Sequence, residues 1–507
     1  MNRIARRTAL LLCLLLAISQ PTAATAPQVR PALAAQIDAI IRQPRYAAAD
    51  WGIAVVSLDS GRTLYEHQAG KLFQPASTAK LFTAALTLST LAADYRIPTR
   101  LLSAAPIRHG RLDGPLLLYG MGDPTLGTPD ANPDWADDLA AQLAARGIRK
   151  VRGDLVADAT YFSGPRFGNG WEASDLLGWF AAPASALSVH ENMVSLTVTP
   201  ATRAGQPPLL AFSPAVAAPP LADTLATATA HEPDDINLYR ALGDPLLHAF
   251  GSVAAGTPPR TYRLAIPDPA RQAGEELLAA LARRGVRLQG GLRVLAWPQN
   301  DAALRANARI LAEVLSPPVS DILAQGLKRS QNLYLQNLLQ IDGVGAQAAA
   351  ANEPDAPVGF LGSAAWGLHA LHGLLERIGI APSSVLLEEG TGLSRDDLVT
   401  PAAMVRLLQY LAAQPWAAAL RGMLPMAGVD GTLEWRMRDG PATDRVQAKT
   451  GSMTHVHSLA GYVTTADGKP LAFAILLNNY QRAPDGPRAN QDIDAIVELL
   501  AGWRGGE

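Results

Sequence analysis

Apolar residues recur along this chain with two different periods, and each period predicts a different kind of element. Residues 51–58 form a nearly continuous apolar run, as in a strand buried on both faces, and residues 62–67 follow across a glycine-containing turn. Residues 459–464 and 471–477 repeat this hairpin pattern near the other end of the chain. With a further strand over residues 446–453, both ends of the chain are predicted to contribute strands.

A helical period of apolar residues marks several other segments in the same two regions. In these segments the apolar positions recur three or four residues apart. The predicted helices cover residues 31–41, 319–327, 330–339, 364–378, 401–413 and 493–503. We therefore expect residues 27–96 and 305–507 to build one unit of helices and strands.

The middle of the chain, residues 97–304, has a different character. Short runs there predict mostly strands, for example over residues 187–199, while helical periodicity predicts helices over residues 135–146 and 270–285. A compact domain tolerates insertion at a surface loop. We therefore interpret residues 97–304 as a large, mostly β insertion into the α/β unit.

The first 26 residues have the pattern of a signal peptide. Three arginines precede an apolar run over residues 8–18, and Ala24-Thr25-Ala26 is a small-x-small cleavage site. The single cysteine of the chain, Cys13, lies inside this segment, so the mature chain would contain no thiol. We expect cleavage after Ala26 and export to a bacterial periplasm, without a membrane-spanning segment in the mature chain.

Charge and composition narrow the class of protein. A formal net charge of -2 over 507 residues gives no sign of the basic surface of a nucleic-acid-binding protein. Hydrophobic residues make up 48% of the chain, which is enough for the cores of two or three domains. Only six of the 43 basic residues are lysines, so a lysine within a motif carries more information here than usual.

The sequence Ser77-Thr78-Ala79-Lys80 opens an apolar helical run and is the only Ser-x-x-Lys in the chain. Residues i and i+3 share a helix face, so the Ser77 hydroxyl and the Lys80 amine should point into the same space. A serine hydroxyl becomes a nucleophile when a base takes its proton, and a lysine can be that base when burial or a second cation lowers its pKa. Taken alone, the pattern also fits an ordinary amphipathic helix.

Two further short motifs follow, and each also occurs only once. These are Ser330-Gln331-Asn332 and Lys449-Thr450-Gly451, the latter within the strand predicted over residues 446–453. Individually, Ser330 could be a helix-surface serine and Thr450 a simple strand residue. Three unique motifs in this order are far more specific than any one of them, and the set is typical of penicillin-binding proteins and class A β-lactamases.

With these motifs in place, the chain resembles the D-alanyl-D-alanine carboxypeptidase/endopeptidase family of class C, low-molecular-mass penicillin-binding proteins (peptidase family S13). Ser330 lies 250 positions after Lys80, where that family carries an insertion of two extra domains. Residues 424–433 resemble its Leu-Pro-x-Ala-Gly-x-Asp-Gly-Thr-Leu segment. Residues 389–395 resemble its Asp-Gly-Ser-Gly-Leu-Ser-Arg stretch, with Glu and Thr here in place of Asp and Ser. The resemblance covers nearly all of the mature chain.

This resemblance implies both a fold and an activity. The fold would be an α/β (α+β) penicillin-binding, β-lactamase-like transpeptidase domain, with an antiparallel sheet flanked by helices and a mostly β, two-domain insertion. The activity would be that of a periplasmic serine D-Ala-D-Ala carboxypeptidase on peptidoglycan stem peptides, and endopeptidase activity on crosslinks stays open. Peptides ending in D-Ala-D-Ala are the expected substrates and β-lactams the expected covalent inhibitors, and no metal or organic cofactor is expected.

The resemblance also assigns roles to the matching residues. Ser77 would attack the carbonyl between two D-alanines, Lys80 would take its proton, and Ser330 would pass a proton to the leaving amine. Lys449, as a second cation, would help to keep Lys80 neutral and would bind the terminal carboxylate. The backbone N–H groups of Ser77 and Ser452 would hold the oxyanion. The substrate-binding residues would be Asn332, Lys449, Thr450, Gly451 and Ser452.

Two other functions and two segments stay open at this point. A β-lactamase would need a base that activates the deacylating water, and none is identified. A non-catalytic peptidoglycan-binding protein would not require the complete set of motif residues. The loop over residues 390–395 could contact the cleft or only connect helices. His190-Glu191-Asn192 lies where the insertion would approach the cleft and where the resemblance implies a polar residue, but we expect a solvated strand end there.

Overall fold

The computed structural model describes residues 32–351, 357, 359–482 and 485–505. The predicted signal peptide, residues 1–26, lies outside these ranges. Within them, no helix has the length and apolar content needed to cross a membrane.

The first part of the chain forms the predicted hairpin between two helices. Each element begins and ends within two residues of its prediction, except that the helix carrying Lys80 begins at Lys80 itself. The elements are α1 (Leu33–Ile41), β1 (Asp50–Ser57), β2 (Thr63–His67) and α2 (Lys80–Thr90).

The middle part is rich in strands, as predicted, and contains both predicted helices. Its elements are β3 (Arg96–Ser103), β4 (Ile107–Arg108), β5 (Arg111–Leu112), β6 (Leu116–Gly120), α3 (Trp135–Ala145), β7 (Lys150–Val151), β8 (Leu155–Asp158), β9 (Met193–Thr199), β10 (Leu209–Ser213), β11 (Leu221–Asp223), β12 (Ala226–Ala228), β13 (Asp235–Tyr239), β14 (Leu247–Ala254), β15 (Arg260–Ala265), α4 (Pro269–Arg283), β16 (Arg287–Leu288), β17 (Leu292–Leu295) and α5 (Ala302–Arg305).

The last part returns to helices and then completes the sheet. Its elements are β18 (Arg309–Pro318), α6 (Val319–Lys328), α7 (Asn332–Ala350), α8 (Ser363–Arg377), β19 (Val385–Leu386), β20 (Leu398–Val399), α9 (Pro401–Ala412), α10 (Ala417–Met423), β21 (Val446–Met453), β22 (Val456–Thr464), β23 (Pro470–Asn478) and α11 (Ala489–Gly502).

A five-stranded antiparallel sheet joins the two ends of the chain in the order β2-β1-β23-β22-β21. Along β1, successive side chains point to opposite faces. Ile53 and Val55 pack into one core with residues of α1 and α11, whereas Ala54 and Val56 pack into the other core with residues of α2. Burial on both faces explains why the predicted strand reads as a continuous apolar run.

The chain enters and leaves the middle part through two adjacent strands, because β3 pairs antiparallel with β18. Its sheets fall into two groups. The sheet β17-β8-β6-β3-β18 contributes to the larger core of the protein, through residues such as Leu101 and Leu118. The sheets built on β9 and β14 enclose a separate core that includes Leu196 and Leu247. The second group of sheets therefore has a core separate from the larger one, whereas the first group shares the larger one, and the two-domain insertion with boundaries at residues 97 and 304 stays a prediction.

One strand prediction in this region is wrong in its extent. The alternating pattern predicts a strand over residues 187–199, but β9 begins only at Met193. His190, Glu191 and Asn192 have φ values of 52°, 56° and 51°, and this left-handed backbone is incompatible with a strand. The solvated strand end expected at these residues is also wrong, because Glu191 is only 3% exposed.

The double burial of β1 generates a stability prediction. Ile53 is fully buried, so Ile53→Ala leaves a cavity beneath α1 and α11 and should destabilise the fold by about 2–5 kcal/mol. Ile310 is also a strand isoleucine but is 47% exposed, so Ile310→Ala is the matched control with a much smaller expected effect. Thermal denaturation of both variants measures the difference, and equal shifts in Tm would contradict this account of the sheet.

Candidate active site

Ser77 lies on a short 3₁₀ turn, Ala76–Ala79, that leads directly into α2. In a 3₁₀ turn, residues i and i+3 are eclipsed. The Lys80 side chain therefore lies beside Ser77, with Nζ 2.8 Å from Oγ. The sequence prediction that these two side chains share one space is confirmed, although the first turn is not α-helical.

Lys80 is fully buried, and its amine has three polar neighbours. Besides Ser77 Oγ, Nζ lies 2.6 Å from Asn332 Oδ1 and 2.7 Å from the Thr391 carbonyl oxygen. Both of these oxygens can only accept hydrogen bonds, whereas a serine hydroxyl can also donate. A neutral amine has two N–H donors and one lone pair, so it can donate to the two oxygens and accept from Ser77. A protonated lysine could instead donate to all three oxygens, so the contacts allow Lys80 both to take the proton of Ser77 and to hold it.

The burial of Lys80 favours its neutral form. Burial lowers the pKa of Lys80 from 10.5 to about 7, because the charged amine loses its hydration. The nearby Glu389 and Asp397 carboxyl groups act against this by raising the Lys80 pKa, but burial is the larger effect. A lysine with a pKa near neutrality is available as a base at physiological pH.

The loop over residues 390–395 contacts the cleft, which the sequence alone left open. Glu389 is fully buried, and its carboxylate accepts backbone N–H bonds from Thr391, Gly392 and Leu393 at 2.6–2.9 Å. This ring of donors shapes the loop so that the Thr391 carbonyl faces Lys80. Glu389 therefore stabilises the conformation of this loop. It stands at the position where the similar family segment has an aspartate.

Ser330 lies in the sharp turn between α6 and α7. The predicted helix over residues 330–339 begins two residues later, at Asn332, because Ser330 has a φ of 56°. The Asn332 side chain is fixed at both ends: Oδ1 accepts from Lys80, and Nδ2 donates to the Phe180 carbonyl at 2.7 Å. Phe180 belongs to the middle part of the chain, so this segment takes part in positioning the motif.

Lys449 approaches from β21, the edge strand of the central sheet. It is fully buried, and its Nζ donates to Ser330 Oγ at 2.9 Å and to the Thr450 carbonyl at 2.8 Å. Burial, with a smaller contribution from the charge of Lys80, lowers the pKa of Lys449 well below its usual value. The charge of Lys80 therefore disfavours a charge on Lys449, whereas the pKa of Lys80 itself is lowered by burial.

Gly451 allows β21 to lie close against the Ser77 turn. A Cβ at this position would overlap Ser458 Oγ and would lie 2.8 Å from the Pro75 carbonyl. Ser458 donates to that same carbonyl at 2.6 Å, which fixes the strand pair to the turn. On the neighbouring residue, Thr450 Oγ1 lies 2.7 Å from Thr432 Oγ1, within the segment 424–433 singled out from the sequence.

Part of the predicted site lines one cavity of about 420 Å³, a volume typical of ligand sites, while Lys80, Lys449, Thr450 and Gly451 lie behind its wall. Ser77, Ser330, Asn332 and Ser452 all lie on its wall. Sequence reasoning missed several other lining residues, because they come from separate parts of the chain without a recognisable motif. These are Asp175, Trp179, Phe180, Arg329, Met453 and Thr454, whereas Leu393 and Arg395 belong to the loop over residues 390–395 that the sequence had already singled out.

A serine beside a buried lysine, together with a second serine and a second lysine, defines the site of a penicillin-recognising serine enzyme. The family model for the D-Ala-D-Ala carboxypeptidase 3 (S13) family matches residues 33–501 of the chain. The chain belongs to this family, and the family prediction made from the motifs is confirmed.

Relatives of known name agree with this assignment. The chain is 34% identical over 481 residues to a D-alanyl-D-alanine carboxypeptidase from Actinomadura sp. strain R39, a match that covers 92% of this chain and 84% of the relative. It is 29% identical over 432 residues to the D-alanyl-D-alanine carboxypeptidase DacB from Haemophilus influenzae, covering 85% of each. The crystal structure of penicillin-binding protein 4 (dacB) from H. influenzae superposes with a TM-score of 0.79 at 26% identity, covering 92% of this chain and 98% of that one. The predicted penicillin-binding fold is thereby confirmed.

The packing of Gly392 against the Ser77 turn generates a testable prediction. Gly392 has a φ of 80°, and a Cβ there would overlap the Ala76 carbonyl oxygen, so Gly392→Ala should displace the turn that carries Ser77. A displacement of about 1 Å can slow a reaction about 100-fold. We expect covalent labelling of the variant by a fluorescent penicillin to slow by at least about 10-fold.

Gly468 provides the matched control for this substitution. Its φ is 85°, but a Cβ there has no atom within 4 Å, so Gly468→Ala introduces the same backbone strain without the overlap. Labelling of Gly468→Ala should proceed at the wild-type rate. Equal slowing in both variants would show that backbone strain, and not the contact with Ala76, is responsible.

Proposed function

We propose that this protein is a serine D-Ala-D-Ala carboxypeptidase that cleaves peptidoglycan stem peptides through an acyl-enzyme on Ser77. The observation that carries the proposal is the buried Lys80 amine, 2.8 Å from Ser77 Oγ and otherwise surrounded by groups that only accept hydrogen bonds. Membership of the S13 family and the names of the relatives support the same substrate class.

Acylation begins when Lys80 takes the proton of Ser77 as Oγ attacks the carbonyl carbon between two D-alanines. The negative charge that develops on the carbonyl oxygen is held by the backbone N–H groups of Ser77 and Ser452. When the tetrahedral intermediate collapses, the C–N bond breaks and the leaving D-alanine amine needs a proton. Ser330 supplies it and is reprotonated by Lys449, whose amine is 2.9 Å away.

Deacylation uses the same groups in the opposite direction. Water attacks the ester carbonyl and its proton passes to Lys449, which gave up a proton during acylation. Lys80 then returns its proton to Ser77 as the ester bond breaks. The shortened stem peptide carries the new carboxyl group. In this scheme each proton that Ser77 gives up is returned to it, so the enzyme is regenerated without a cofactor.

The terminal carboxylate of the substrate is the natural partner for Lys449 and Thr450. Burial lowers the pKa of Lys449, and an incoming carboxylate would favour its charged form by direct attraction. Thr450 presents a hydroxyl on the more open side of the same strand, next to Thr432. A substrate without a free carboxylate would lack these contacts with Lys449 and Thr450.

The proposal extends to the location and the organisation of the chain. The signal-peptide pattern over residues 1–26 supports export to the periplasm, where peptidoglycan is found. Residues 27–96 and 305–507 form the proposed catalytic domain, and residues 97–304 the insertion. β-Lactams present a reactive amide beside a carboxylate, so we expect them to acylate Ser77 and to leave slowly.

The first test is intact-mass analysis of the protein with and without a fluorescent penicillin. We expect one adduct per chain, located on Ser77 by peptide mapping and lost in Ser77→Ala. Ser60→Ala, which changes an exposed serine of the β1–β2 turn, is the control and should label normally. Rapid turnover of the penicillin without an adduct would favour the β-lactamase alternative, and a folded protein with neither outcome would favour a binding protein.

Product analysis then separates the two peptidase activities. A stem pentapeptide should release free D-alanine, and a crosslinked dimer reports endopeptidase activity by yielding monomers. The Ser77→Ala variant controls for contaminating hydrolases in both reactions. Cleavage of neither substrate by a protein that penicillin acylates would contradict the proposed substrate class.

The lowered pKa of Lys80 predicts the direction of the pH dependence. Protonated Lys80 cannot accept the Ser77 proton, so the penicillin acylation rate should fall about 10-fold per pH unit below about pH 7 and level off above it. Stopped-flow acylation from pH 5 to 9, with Tm measured at each pH, checks this. A rate independent of pH across this range, in folded protein, would exclude Lys80 as the base.

A further inference from the structure

The turn at residues 190–192 directs a buried carboxylate towards the active site. Glu191 belongs to the middle part of the chain and is only 3% exposed. Its carboxylate pairs bidentately with the Arg329 guanidinium, through Nη1 at 2.7 Å and Nη2 at 2.9 Å. It also accepts from Gln331 Nε2 at 3.1 Å and from the Tyr334 hydroxyl at 2.7 Å.

The backbone around Glu191 is held in an unfavourable conformation. Three successive non-glycine residues, from His190 to Asn192, have positive φ values, and each such residue costs free energy. The Asn192 side chain stabilises the turn by accepting from Val189 N at 3.0 Å and donating to the Pro183 carbonyl at 2.8 Å. Strain that the surrounding structure maintains in this way is found where a side chain must reach one particular position.

The partners of Glu191 lie on both sides of Ser330. Arg329 precedes Ser330 and Gln331 follows it, so one carboxylate restrains the two neighbours of the proton-donating serine. Ser330 itself has a φ of 56°, which a free turn would adopt only rarely. Without Glu191, the Arg329–Gln331 turn would lose its anchor to the inserted segment, and the 2.9 Å contact from Lys449 to Ser330 would lose its support.

We infer that Glu191 is a positioning residue that holds Ser330 in the geometry for proton transfer to the leaving group. The inference rests on the proposed function, because it assumes that Ser330 takes part in acylation. It gives the inserted segment a part in the chemistry: its Glu191 fixes the Ser330 turn, while its Phe180 carbonyl fixes Asn332.

The test is a double-mutant cycle between Glu191→Gln and Ser330→Ala, read out as the rate of acylation by a fluorescent penicillin. Glu191→Gln keeps the size of the side chain but removes its charge. It also places an amide N–H donor next to Arg329, Gln331 and Tyr334, which are themselves hydrogen-bond donors to Glu191. We expect it to slow acylation by about 10–100-fold in the wild-type background, because a shift of about 1 Å can cost this much. In the Ser330→Ala background it should cause almost no further loss, since the group that it positions is already absent.

Two further variants separate positioning from general stability. Glu191→Asp keeps the charge on a shorter side chain and should lose less activity than Glu191→Gln. If Glu191→Gln does not fold, as judged by Tm, Glu191→Asp takes its place in the double-mutant cycle with Ser330→Ala. Glu313→Gln breaks an ion pair with Arg100 away from the cleft and should leave acylation unchanged.

The outcomes distinguish this inference from the proposed function. If the wild-type protein is not acylated, the proposed function fails. If the wild type is acylated and Ser330→Ala is slow, but the Glu191 variants react at the wild-type rate, the inference alone fails. It also fails if Glu191 substitution slows acylation equally with and without the Ser330 hydroxyl, because the effect would then not act through Ser330.

Discussion

The proposed chemistry of this site depends on one buried amine. Lys80 can act as a base only when it is neutral, and burial lowers its pKa to about 7 because the charged amine loses its hydration, so the neutral form is accessible near physiological pH. The cost of that burial is limited by hydrogen bonds from the amine to oxygens of Ser77, Asn332 and Thr391. The walls of the cleft are arranged around this requirement.

Each wall comes from a different part of the chain. The 3₁₀ turn before α2 brings Ser77 and Lys80 together, the loop shaped by Glu389 brings the Thr391 carbonyl, and the edge strand β21 brings Lys449. Close contacts at Gly392 and Gly451 allow the loop and the strand to approach the turn, where any side chain would overlap backbone or a hydroxyl. Small residues therefore matter here as much as reactive ones.

The middle part of the chain, which we propose to be an insertion, contributes to this cleft through specific polar contacts. The Phe180 carbonyl and the Glu191 carboxylate reach the Ser330–Asn332 turn, one from each of two neighbouring loops. A separate domain that only bound the cell wall would have no need of a buried, bidentate ion pair beside the catalytic motif. The strained turn at residues 190–192 is instead consistent with a geometry that the site requires.

The sequence by itself determined the class of protein and most of the elements. Three unique motifs singled out Ser77, Lys80, Ser330, Asn332 and Lys449, and hydrophobic periodicity placed the strands of the central sheet and most of the long helices to within a few residues. The exception is α7, which runs to Ala350 instead of ending at the predicted residue 339. Both signals are local, because a motif or a period is contained within a short stretch of chain. Only the tertiary structure decided how Lys80 loses its charge, why Ser330 lies outside its helix, and which residue restrains it. Those features depend on Thr391, Phe180 and Glu191, which are distant from the motifs in sequence and acquire their roles through burial and contact.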